Sequence, residues 1–201
     1  MQKIIESIIE AEASAVKNIP VSEAYERAVD IIFERVYRNR GKVVTSGMGK
    51  AGQIANNMAT TLSSTGIPAV FLHPSEAQHG DLGIIQENDV VIAVSNSGKT
   101  REITELLDLK DNLYPEVPVI VITSNRESPL ALKAGCVLET GAPPEVCPLG
   151  LTPTTSTTVM TVIGDILVVL LMKRTGFNAS DYARRHHGGY LGAVSRGMKH
   201  Q

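Results

Sequence analysis

Apolar residues in the first forty positions recur at helical spacing: Ile4, Ile5, Ile8 and Ile9, then, past Pro20, Ala24, Ala28, Ile31, Ile32 and Val36. Recurrence every three or four residues lines one face of a helix, so two amphipathic helices are expected, separated at Pro20. From Lys42 onward the pattern changes to short β-branched runs at residues 43–45, 69–72, 90–94 and 117–122. Runs that lack polar alternation are the mark of strands covered on both faces. Between them, residues 50–64, 101–110 and 128–134 carry helical patterns, and residues 136–139 read as a fifth strand. Such alternation predicts an α/β fold: a five-stranded, mostly parallel sheet flanked by helices on both faces, a three-layer sandwich of flavodoxin-like or Rossmann-like type. Right-handed crossovers then direct attention to the carboxyl ends of the strands, where ligands meet such sheets.

Residues 159–172 are apolar apart from Gly164 and Asp165. The run falls short of the roughly 20 residues a membrane span requires, so a buried helix is expected, with Asp165 in a structural role. No repeat or flexible linker divides the chain, and residues 141–153 form a loop with four prolines. One domain over 1–201 is expected, with helices in 1–40 and an α/β core in 41–192. A formal net charge of -2 offers no footprint for nucleic acid or an anionic membrane. With aromatics at 4% and no Trp, a ligand would be held by hydrogen bonds rather than stacking. Two cysteines outside any CxxC pair show neither a disulfide framework nor a thiolate zinc site. The first residues lack a secretory pattern, so a cytoplasmic location is expected.

Two segments concentrate chemistry. Ser46-Gly47-Met48-Gly49-Lys50 follows the first strand and opens a helix, bringing backbone N–H groups and a lysine to a point where an anion or oxyanion fits. It has neither the length of a nucleotide P-loop nor the third glycine of a dinucleotide fingerprint. Ser95-Asn96-Ser97-Gly98-Lys99-Thr100 gathers three hydroxyls and several amides before another helix. Either hydroxyl next to the helix is explained by capping; several together favour a phosphate cradle. The hydroxyl run at residues 154–158 suits capping of the last long helix and contacts to a sugar, and capping is an adequate explanation of it.

In one order the chain carries SGMGKAG, HPSEAQHGDLG, SNSGKTREI, CPLGLTPTTSTT with a following GD, and RRHHGGYLG. This set resembles the signature of the arabinose 5-phosphate isomerases, members of the sugar isomerase (SIS) domain family, over about residues 42–192. The resemblance implies an aldose-ketose isomerase that interconverts D-ribulose 5-phosphate and D-arabinose 5-phosphate through a cis-enediol, supplying 3-deoxy-D-manno-octulosonate (Kdo) for lipopolysaccharide. It implies Ser46, Gly47, Ser95, Asn96, Ser97 and Thr100 as substrate and phosphate binders, and Lys50, His79, Glu102 and His186 as the catalytic group. Glu102 ranks first as the proton-abstracting base, provided burial raises its pKa, with His186 as runner-up. Lys50 would stabilise the enediolate, and His79 would hold substrate hydroxyls.

His73 is expected to be structural, while Arg184 and Arg185 reach either the phosphate or a neighbouring subunit. His187 stands where the family has proline. No cofactor or metal is expected, with zinc as an inhibitor. The resemblance also implies a homotetramer in which His79 or His186 crosses a subunit boundary, with the isoleucine faces of the first helices as assembly elements or packed on their own core. The sequence is read as a short form without the family's regulatory modules, and a Kdo-pathway product such as CMP-Kdo as an inhibitor. Two other functions stay open: an isomerase of another phosphosugar, and a non-catalytic sugar-phosphate sensor.

Overall fold

The computed structural model describes residues 1–197. Helices α1 (Gln2–Lys17) and α2 (Ala24–Phe33) open the chain, and α2 widens into one π-helical turn, Glu34–Arg38. The strands β1 (Val43–Gly47), β2 (Ala69–Phe71), β3 (Val90–Val94), β4 (Val119–Thr123) and β5 (Cys136–Glu139) alternate with α3 (Gly49–Ser64), α4 (Pro74–Ala77), α5 (Arg101–Leu113) and α6 (Pro129–Lys133). Three helices close the described chain: α7 (Thr155–Thr175), α8 (Ala179–Arg185) and α9 (Gly189–Gly197).

The sheet runs in the order β2-β1-β3-β4-β5 and every pairing is parallel, so "mostly parallel" becomes wholly parallel. Successive side chains of a strand point to opposite faces, and the two cores follow that rule. Val43, Val90, Ile92, Val94, Ile120 and Ile122 pack with α2, α3 and α7 on one side. Val44, Val91, Ala93, Val119 and Val121 pack with Ile103, Leu106 and Leu107 of α5 and Leu130 of α6 on the other. All five residues of β1, β3 and β4 are buried, which is why those runs show no polar alternation.

α7 is long and apolar enough to pass a membrane-span test, yet half of its most apolar window is buried inside the molecule. Ile163, Leu167 and Leu171 are fully enclosed in the core it shares with α3. Asp165 is exposed, so it needs no buried partner. The isoleucine face of α1 is the point where pattern and structure part. Ile4, Ile5, Ile8 and Ile9 are 59%, 51%, 40% and 61% exposed, and α1 joins the core only through Ala15 and Val16, followed by Ile19. Of the two coverings expected for that face, the chain's own core is not the one.

Candidate active site

The 2-1-3-4-5 strand order reverses between β1 and β3, and the crevice at that switch point is where an open parallel sheet receives ligands. A cleft of about 530 Å³ lies there, bounded by the start of α3, the 95–100 loop, the 143–153 loop and the start of α7. Lys50, Ser95, Asn96, Ser97 and Thr100 all line it. A second groove of about 710 Å³ opens alongside, with Lys50, Pro153 and Thr157 common to both walls.

The turn into α3 is a close approach of backbone. A Cβ on Gly47 would lie 2.8 Å from the Ala51 carbonyl oxygen, and one on Gly52 would lie 2.6 Å from that of Gly47. Two glycines therefore let α3 start directly on the end of β1, and Lys50 projects from its first turn, exposed and with no carboxylate within ion-pair distance among the described residues. Ser46, expected as a substrate hydroxyl, is placed elsewhere. It is fully buried, and its Oγ donates to the Leu72 carbonyl at 2.7 Å, tying the end of β1 to the end of β2. Gly47 is likewise buried and serves the close approach, outside the cleft wall.

The 95–100 loop is organised around its own hydroxyls. Ser95 Oγ and Thr100 Oγ1 share a hydrogen bond of 2.8 Å, Ser95 Oγ accepts the Gly98 N–H at 3.1 Å, and Ser97 Oγ accepts the Lys99 N–H at 3.2 Å. Thr100 is the N-cap of α5 but makes no side-chain cap. Capping was one explanation for this hydroxyl; the geometry instead leaves the first N–H groups of a 13-residue helix open beside three hydroxyls. An anion is favoured at such a helix start.

The proposed acid-base residues are distributed less simply. Glu102 is half-buried in the first turn of α5, two residues past the lining Thr100, and is outside the cleft wall. His79 is exposed in the loop after α4, at the same end of the sheet; the neighbouring Gln78 Nε2 donates to Glu105 Oε2 of α5 at 2.7 Å. His73 caps the start of α4 in extended conformation, with its ring edge-on to Phe71.

His186 stands at the other end of the molecule. α7 begins in the cleft with Ser156 and Thr157 and runs 21 residues, about 30 Å, toward the ends where the strands begin. There Phe177 and Arg185 pack against Gly66, just before β2. His186 follows directly, its ring stacked on Tyr182 at 3.7 Å and its Nδ1 3.0 Å from the Tyr182 carbonyl oxygen. Within one chain this imidazole does not meet the cleft. Arg184 pairs with Asp181, and Arg185 lies over the Phe177 ring, so neither arginine reaches the cleft of its own chain either.

The carboxylate that does stand in the cleft wall is Glu145, which the sequence reading passed over. Its Oε2 accepts the Thr154 N–H at 2.7 Å, the Thr154 hydroxyl at 3.0 Å and the Ser156 N–H at 3.3 Å, capping α7 from nine residues upstream. Burial pushes this carboxyl up, but the hydroxyls and N–H groups of Ser156 and Thr154 together outweigh it and hold the group below the usual carboxylate range. A charged group at a helix start inside a proline-rich loop gives no periodic signal. In the same loop Cys147 Sγ accepts the Thr152 N–H at 3.2 Å, and contacts with Thr152 bring the thiol down to about 7. Cys136 is a buried free thiol, pushed up by burial. Among the described residues no group of three or more His, Cys, Asp or Glu is arranged to hold a metal ion.

Residues 36–170 match the model of the SIS domain. This chain belongs to the SIS domain family. A proposed phosphosugar isomerase involved in capsule formation from Bacteroides fragilis has a solved structure that superposes at a TM-score of 0.93 with 65% identity, covering 94% of this chain and 99% of that one. An Escherichia coli CFT073 protein solved in complex with arabinose 5-phosphate superposes at 0.84 with 35% identity, covering 92% and 96%. The arabinose 5-phosphate isomerase KdsD of Shigella flexneri is 51% identical over 159 residues, 79% of this chain and 48% of that protein. The SIS chain thus spans about half the length of the curated relatives it matches.

Proposed function

We propose that this SIS domain is an aldose-ketose isomerase acting on D-ribulose 5-phosphate and D-arabinose 5-phosphate. The observation that carries the reading is the cleft itself: the uncapped start of α5 with the hydroxyls of Ser95, Ser97 and Thr100, faced by Lys50. It is supported by 35% identity to a protein solved with arabinose 5-phosphate and by the KdsD relatives. The Bacteroides fragilis structure is of a proposed phosphosugar isomerase involved in capsule formation, with no particular sugar named, so a different phosphosugar is the second reading.

In the proposed reaction the phosphate sits on the 95–100 loop and the open-chain sugar extends toward Lys50. A base removes the proton on C2 of the aldose; the electron pair forms the C1–C2 double bond, and the carbonyl oxygen on C1 takes up a proton to give the cis-enediol. Loss of the proton on O2 re-forms a carbonyl there while C1 accepts a proton, completing the ketose. The Lys50 ammonium offsets charge on the enediolate oxygens. Glu145 is the carboxylate nearest at hand, but a lowered pKa makes a weak base, so Glu102 is the proposed base. His186 would come from a neighbouring copy, in a homotetramer that also covers the α1 isoleucines; His79 would hold the sugar. We place the enzyme in the cytoplasm, feeding Kdo and lipopolysaccharide synthesis, with a Kdo-pathway product such as CMP-Kdo as inhibitor.

The test is isomerisation of ribulose 5-phosphate by wild type, Glu102→Gln and Glu145→Gln. Turnover by wild type, loss of roughly 100-fold or more in kcat for Glu102→Gln with binding kept, and a smaller loss for Glu145→Gln are expected. No turnover with any pentose or hexose phosphate, despite binding, would point to a sensor.

A further inference from the structure

Two polar atoms in the cleft wall have no aligned hydrogen-bond partner among the described residues. They are Ser156 Oγ, on a residue 1% exposed, and the buried Oδ1 of Asn96. Both residues line the cleft. The other hydroxyls of the 154–158 run are engaged: Thr154 with Glu145, Thr155 with Glu12, and Thr157 and Thr158 with the Thr154 carbonyl. Ser156 Oγ lies near enough to the Glu145 carboxylate to favour its charge, yet makes no aligned bond to it. Buried polar groups are nearly always paired, and an orphan in a ligand cleft is paired when the ligand arrives.

The chemistry of the two atoms selects the ligand group. An amide oxygen only accepts, whereas a hydroxyl both donates and accepts. A fully ionised phosphate has no hydrogen to offer Asn96 Oδ1, and the hydroxyls and amides of the loop already suit it. An alcohol satisfies both atoms at once: its O–H donates to Asn96 Oδ1 and its oxygen accepts from Ser156 Oγ. Resting on the reading above, we infer that Ser156 and the Asn96 side chain recognise a hydroxyl of the sugar chain, which makes Ser156 a specificity-determining residue. The 95–100 loop is then divided in its duties: Ser95, Ser97 and Thr100 for the phosphate, and Asn96, placed with the phosphate binders by resemblance, for the carbohydrate.

Calorimetry with three probes separates the contributions: inorganic phosphate, pentyl phosphate, which has no hydroxyls, and arabinitol 5-phosphate, which keeps the hydroxyls and cannot isomerise. Ser156→Ala is expected to weaken arabinitol 5-phosphate about tenfold, the scale of one net hydrogen bond, and to leave the other two probes unchanged. Asn96→Ala should show the same selectivity, which keeps the test open if either variant fails to fold. Equal weakening of all three probes, or of none, overturns the inference. Because binding is read without turnover, an inactive wild type would sink the proposed reaction and leave hydroxyl recognition to be judged on the three affinities.

Discussion

Gly98 holds the 95–100 loop in a shape that another residue cannot copy. Its φ is +64°, and a Cβ would fall 2.0 Å from Ser128 Oγ and 2.9 Å from Thr123 Oγ1. Its carbonyl oxygen also accepts the Leu130 N–H, fastening the loop to α6. Gly98→Ala therefore combines a left-handed backbone with a collision inside the fold. A loss of about 2–3 kcal/mol in urea unfolding is expected, with phosphate affinity falling roughly tenfold or more. At this scale the sequence revealed residue types better than their use. Serines and a lysine at strand ends announce anion chemistry, but Ser46 and Ser95 look alike on paper. What separates them is the Leu72 carbonyl, 26 residues further on, which accepts the hydrogen bond of the Ser46 hydroxyl.

Among the elements, α7 depends on a charge it does not itself contain. Glu145 receives its first N–H groups, and its carboxyl is held below the usual range by Ser156 and Thr154 against the opposing effect of burial. A depressed carboxyl contributes stability that is complete above its unfolded value near about 4 and fades as pH falls through the lower folded value. Glu145→Gln is thus expected to cost about 1 kcal/mol in urea unfolding at neutral pH, the usual worth of a helix cap. The two proteins should converge in stability as pH falls through the lowered folded value, and a difference that does not change with pH through the acid range would refute the capping role. The strands and the buried helix were legible because burial on both faces writes itself as unbroken apolar runs. The cap was not, since it spans a proline-rich loop with no period. Nor could periodicity say which apolar face of a helix meets its own core: the α1 isoleucines repeat at the right spacing and remain exposed.

Across the whole molecule, the distance between the cleft and His186 is the fact that assembly has to answer. With α7 separating them by about 30 Å, a shared active site needs His186 from another copy, and the exposed faces of α1 and of α7 at Val169 give that copy apolar surface to cover. Mixing Glu102→Gln chains with His186→Ala chains, each inactive alone, is expected to restore about a quarter of wild-type activity after random reassociation, since one cleft in four pairs an intact Glu102 with an intact neighbouring His186. No recovery, with mixed oligomers present, would show that His186 is not shared between copies.

Two helices of this fold, α5 and α7, begin at the same cleft. The opening amides of α7 are taken up by the Glu145 carboxylate, but those of α5 are uncapped and lend partial positive charge that carries no titrating proton, so no accessible pH can remove it. That share of the counter-charge offered to a bound anion is therefore constant across physiological conditions. Where the α5 start dominates the hold, a change of grip with acidity comes from the guest, as the phosphate of the proposed substrate passes from one negative charge to two.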